Sequence, residues 1–140
     1  MKKSVVMVAP FNTRSGYGDH ARSIFYSIMD REDIDIKCID VKWGGTPRNH
    51  LRPEVPRIPN EFGNGGKFNI GITAGVETNV VSPEFIAGMN NMHLNIVPSN
   101  FTATTFKNCS YDQVQDMPDG SKQKTGQVSL QKPISVLFEG

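Results

Sequence analysis

The chain is poor in the residues that staple or metallate small folds. Its 140 residues hold two cysteines, Cys38 and Cys109, far apart in sequence and outside any metal-ligand spacing. That excludes a disulfide framework and a cysteine-based metal site, and it leaves two buried or incidental thiols as the reading. Charge of one sign is also lacking. Fifteen Lys and Arg face fourteen Asp and Glu with no dense basic cluster, so the electrostatic footprint of a nucleic-acid or anionic-membrane binder is missing. Long apolar runs are absent too. Met1-Lys2-Lys3 looks like the start of a leader, but the apolar stretch behind it reaches only from Val5 to Pro10, too short for a secretory or membrane-spanning segment. A reducing, cytoplasmic setting is the expectation.

Two glycine signatures are incomplete. Neither the three spaced glycines of a dinucleotide-binding turn nor the Gly-Lys-Ser/Thr ending of a P-loop occurs. What remains is the composition of a soluble domain, 37% hydrophobic and 21% charged, long enough to bury one core, so a single domain is expected.

The strongest local signal lies in the first thirty residues. An apolar strand over 4–9 leads into Ser15-Gly16-Tyr17-Gly18 and then a helix expected from Asp19 to about Asp30. Closely spaced glycines let the backbone approach a ligand without Cβ interference, and a helix start aims unpaired N–H groups at it, a geometry suited to phosphate. A plain tight turn is the alternative at the same residues. Ala21, Ile24, Phe25, Ile28 and Met29 share one helical stripe. Period-two alternation over 34–41 predicts a second strand, parallel to the first and wetter on one side.

Between 42 and 67 the pattern dissolves into Gly and Pro, which predicts a long polar loop. Its Arg48, Asn49, His50, Arg52 and Arg57 suit either an anionic or sugar acceptor or a solvated surface, and Trp43 at its mouth either stacks on a sugar or closes the core edge. A strand over 68–74 stops at Gly75. Ser82 and Pro83 then open a helix whose expected buried stripe is Phe85, Met89 and Met92. A short strand over 94–98 follows, and Ser99 or Asn100 caps a third helix carrying Phe101 and Phe106. The polar stretch 111–133 reads as a loop-like excursion or a hairpin around Pro118-Asp119-Gly120, and 134–138 as a final strand. This order predicts an α/β fold with a doubly wound, mainly parallel, Rossmann-like sheet.

Four segments resemble the N-terminal domain of GT-B glycosyltransferases. They are Ser15-Gly16-Tyr17-Gly18-Asp19-His20, Gly75-Val76-Glu77-Thr78-Asn79 with Ser82-Pro83-Glu84, Val97-Pro98-Ser99-Asn100-Phe101-Thr102, and Val136-Leu137-Phe138-Glu139-Gly140. They occur in the family's order over nearly the whole chain. The resemblance implies one Rossmann-like half of a two-domain transferase that moves a sugar from a nucleotide-diphosphate-sugar donor to a small-molecule or glycan acceptor. The donor is a substrate; no cofactor and no metal are implied.

By the same resemblance Gly16 and Gly18 line the donor phosphates, Tyr17 in the same donor-binding loop offers its ring face or hydroxyl to a sugar, and Arg48, His50 and Thr78 lie toward the acceptor. Glu77 and His20 are the candidate catalytic residues. Glu77 follows a parallel strand at its C-terminal end, where a carboxylate serves either as a base toward a sugar hydroxyl or as a loop salt bridge. His20 either packs against the loop or faces the donor. Ser99, Asn100 and Thr102 read as helix capping. The donor-binding second domain is expected to lie outside this chain, so the chain alone is expected to be inactive and to expose an apolar surface near Glu139 prone to self-association. A non-catalytic Rossmann-like interaction module is the alternative function. A small NAD-type protein is a third reading, disfavoured by the glycine pattern, with Asp40 as its acidic candidate.

Overall fold

The computed structural model describes residues 1–42, 45, 66–75 and 78–138. The fold is mixed α/β with parallel and antiparallel sheets, and the chain divides into two compact units, Met1–Gly63 and Asn64–Gly140. Among the described residues no strands close into a barrel, and no helix is long and apolar enough to cross a membrane.

The first unit is a strand, a helix and a parallel strand: β1 (Lys3–Ala9), α1 (Gly16–Ile28) and β2 (Ile34–Asp40). β1 and β2 pair in parallel from Lys3 opposite Ile34 to Ala9 opposite Asp40. Alternation decides what is buried: Ile36 and Cys38 are inside while Asp35 and Lys37 face water, as the period-two pattern requires. Phe11, Ala21 and Phe25 complete the core with them, and Val5, Met7 and Ile28 pack around it. The Phe11 and Phe25 rings meet edge to face, centroids 6.4 Å apart. Burying one such side chain contributes roughly 1.5–3 kcal/mol. Met29, expected on the buried stripe, is exposed.

The second unit contains β3 (Ile70–Ile72), α2 (Pro83–Asn90), β4 (Leu94–Val97), α3 (Asn100–Asn108), β5 (Ser110–Asp116), β6 (Lys122–Ser129) and β7 (Ile134–Val136). Strands β3, β4 and β7 form a parallel sheet in that spatial order. Its core joins Val81, Ile86, Met89, Val97, Ala103, Phe106 and Cys109. On α2 the buried residues are Ile86 and Met89, whereas Phe85 is half exposed, because the helix turns its 86/89 side toward Phe106 and Val97. β3 is shorter than the strand expected over 68–74, and β7 shorter than 134–138.

The polar stretch 111–133 holds an antiparallel hairpin, β5 with β6, closed at Met117 and Ser121 and irregular between Gln113 and Val114. Its base is anchored rather than free. Tyr111 Oη donates to the Val81 carbonyl, and the Asn90 side chain donates to the Ser129 carbonyl at 2.9 Å while accepting from Gln131 N–H at 2.8 Å.

Candidate functional site

The junction of β1 and α1 carries the expected phosphate-facing residues, and it differs in one respect from the sequence reading. The helix starts at Gly16, not near Asp19, so Gly16, Tyr17 and Gly18 form its first turn instead of a loop before it. The cause is Ser15. With extended backbone (φ −149°, ψ 160°), its Oγ accepts the Gly18 N–H at 3.1 Å and its carbonyl accepts the Asp19 N–H at 2.9 Å, which nucleates the helix three residues early. Neither glycine is in the left-handed region. They differ in surroundings: a Cβ on Gly16 meets nothing within 4 Å, but one on Gly18 falls 2.4 Å from the Thr13 carbonyl oxygen.

Below this turn the chain is tightly tied. Thr13 is fully buried, and its hydroxyl donates to the Pro10 carbonyl at 2.9 Å and lies 2.8 Å from Ser15 Oγ. Arg22, one turn into α1, reaches back with Nη1 to the carbonyls of Phe11 and Thr13, while its Nη2 meets Asp19. Asn12 ties the same loop to Asp40 at the end of β2. Sequence reasoning did not single out Asn12 or Arg22. The i, i+3 spacing of Asp19 and Arg22 was the only local signal for the latter; the Asn12–Asp40 contact crosses 28 positions and leaves no local trace.

His20 lies in the first turns of α1 and is partly exposed. Thr78 is exposed in the second unit, its hydroxyl donating to the Val80 carbonyl at 2.7 Å. Glu77, Arg48, His50 and Trp43 lie outside the described residues, as do most of the expected loop over 42–67 and Glu139.

The second unit repeats the strand-to-serine-to-helix device. After β4, Ser99 accepts the Thr102 N–H at 3.1 Å through its Oγ, so Ser99 and Thr102 serve the start of α3. Ser82 occupies the N-cap position of α2 without a side-chain bond to the helix backbone; its hydroxyl bonds the Glu84 carboxylate and holds that group below the usual carboxylate range. Gly75 ends the β3 turn with φ +76°, and a Cβ there would fall 2.4 Å from Thr102 Cγ2, so both backbone and space demand glycine.

Chemically, the β1–α1 junction offers the Ser15-capped N-terminal turn of a thirteen-residue helix at the C-terminal end of a parallel strand, beside the Phe11 and Thr13 carbonyls that Arg22 holds. Such a turn favours negative charge. Cys38 contributes no chemistry: burial pushes its thiol up to about 11. Among the described residues no group of three or more His, Cys, Asp or Glu side chains is placed to hold a metal ion. No family model, curated protein or solved structure matches the chain.

Proposed function

We propose that the chain is the acceptor-side half of a GT-B glycosyltransferase, with the doubly wound, Rossmann-like sheet of that family, acting on a nucleotide-diphosphate sugar in the cytoplasm. The observation that carries this reading is the β1–α1 junction, where Ser15 opens α1 directly after a parallel strand and the Gly16 side faces free space. As the bond to the sugar breaks, the departing nucleoside diphosphate gains negative charge, and the N–H groups of Gly16 and Tyr17 stabilise it at the positive end of α1, while the Gly18 N–H, held by Ser15 Oγ, fixes the turn that presents them. Glu77 takes the proton of the acceptor hydroxyl, and Thr78, Arg48 and His50 contact the acceptor. His20 flanks the donor.

Isothermal calorimetry with uridine and guanosine diphosphate sugars tests the reading on the isolated chain. Because the family draws most of its donor contacts from a second domain, binding weaker than micromolar is expected. Micromolar binding by this chain alone would contradict it.

One observation favours the interaction module as a second reading. Ile70 and Ile72 on the β3 edge of the sheet expose 51% and 43% of their surface, and Leu137 and Phe138, which follow the opposite edge strand β7, expose 60% and 70%; large apolar side chains left on sheet edges mark interaction surfaces. Concentration-dependent self-association in sedimentation, without any nucleotide-sugar binding, would favour the module.

A further inference from the structure

We propose that His93 is a proton-sensitive clip that fastens residues 66–69 to the turn between α2 and β4. Three hydrogen bonds join Asn69 to His93 in that turn and to Leu94 at the start of β4. The N–H groups of His93 and Leu94 donate to the Asn69 carbonyl at 2.8 and 3.3 Å, and the Asn69 N–H donates to His93 Nδ1 at 3.0 Å. The Phe68 ring stacks on the imidazole, centroids 5.2 Å apart and planes 27° from parallel. β3 begins one residue later, with Ile70 in register with Leu94, so the clip sits where the chain enters the parallel sheet.

The third bond differs from the other two in kind. Nδ1 accepts only while it carries no proton, which places the ring's single hydrogen on Nε2 in the neutral form. Protonation puts a hydrogen on Nδ1 as well. The Asn69 N–H then faces a donor, and the bond is lost. His93 is exposed, so the proton comes directly from solvent. The stacked Phe68 face offers Asn69 no equivalent acceptor. Among the described residues the elements around the ring carry few other charges: Lys67 in the fastened segment, Glu84 in the first turn of α2 at that helix's far end, and Lys132 just before β7. No carboxylate on β3 or β4 competes for the imidazolium.

The two backbone bonds to the Asn69 carbonyl do not titrate. Acidification therefore loosens the 66–69 entry and leaves the β3–β4 pairing in place. The inference is independent of the proposed transferase activity.

Amide hydrogen exchange combined with histidine nitrogen NMR on the full chain tests it. At neutral pH the His93 nitrogen shifts should report the Nε2–H tautomer. As the ring protonates, the Asn69 protection factor, in which intrinsic pH dependence is already normalised, should fall roughly two- to tenfold, the range expected for losing one net hydrogen bond. His93→Asn supplies an amide oxygen in place of Nδ1 and does not titrate, so its Asn69 protection should stay flat over the same pH range. Unchanged protection in the wild type while His93 titrates would overturn the proposal, as would an equal fall in His93→Asn.

Discussion

Asn12 holds Asp40 by both carboxylate oxygens. Its backbone N–H donates to Oδ1 at 2.9 Å and its side-chain amide donates to Oδ2 at 3.2 Å, tying the loop after β1 to the end of β2. The grip is asymmetric, because Asn12 Oδ1 is itself buried with no hydrogen-bond partner among the described residues. Asp40→Ala leaves two donors without an acceptor and should cost about 1–3 kcal/mol. Asn12→Ala keeps the backbone bond and removes the orphaned oxygen, so it should cost less than about 1 kcal/mol. Urea unfolding of the two variants measures the difference; equal losses would contradict the asymmetry.

Gly16 and Gly18 should respond to alanine with opposite signs. Position 16 opens the helix with free space around the missing Cβ, where alanine restricts the unfolded chain and gains up to about 1 kcal/mol. At position 18 the new carbon meets the Thr13 carbonyl at 2.4 Å and the Thr13 hydroxyl at 2.8 Å. Backbone held by Arg22 and Pro10 yields little, so Gly18→Ala should lose about 1–3 kcal/mol. Thermal unfolding read by circular dichroism separates the two.

The hairpin turn should weaken in acid. Asp119 Oδ1 accepts the Ser121 N–H at 2.9 Å and hydroxyl at 2.6 Å, and these bonds hold the Asp119 carboxyl below its ordinary range. A depressed folded value means the contribution is present above the unfolded carboxylate's pKa and is lost as pH falls through the folded one. The Asp119 carboxyl carbon should therefore titrate below about 3.9, and Ser121→Ala should move its midpoint back toward that value.

The strands were readable because each pairs a short apolar run with a glycine, proline or polar stop; 4–9, 34–41 and 94–98 needed no tertiary information. The start of α1 was misplaced for a physical reason. Glycines at 16 and 18 look like breakers, while the bond that overrides them runs from Ser15 Oγ to a backbone N–H and needs no acidic partner three residues on. The polar hairpin is hard to read in the sequence because only Tyr111 and Val128 of β5 and β6 pack against the core, and the rest of the ladder is mostly exposed and polar, with no apolar stripe to mark it. Phe85 shows the opposite error: a large apolar residue on a short helix was assigned to the core, yet Ile86 fills it.

Backbone amide NMR of the chain titrated with a nucleotide-diphosphate sugar tests the central claim most directly. If the start of α1 receives the donor diphosphate, the amide resonances of Gly16, Tyr17 and Gly18 should shift together and saturate only above micromolar ligand, and inorganic diphosphate should shift the same three. Shifts confined to other residues, with these three amides unmoved at saturating ligand, would contradict it.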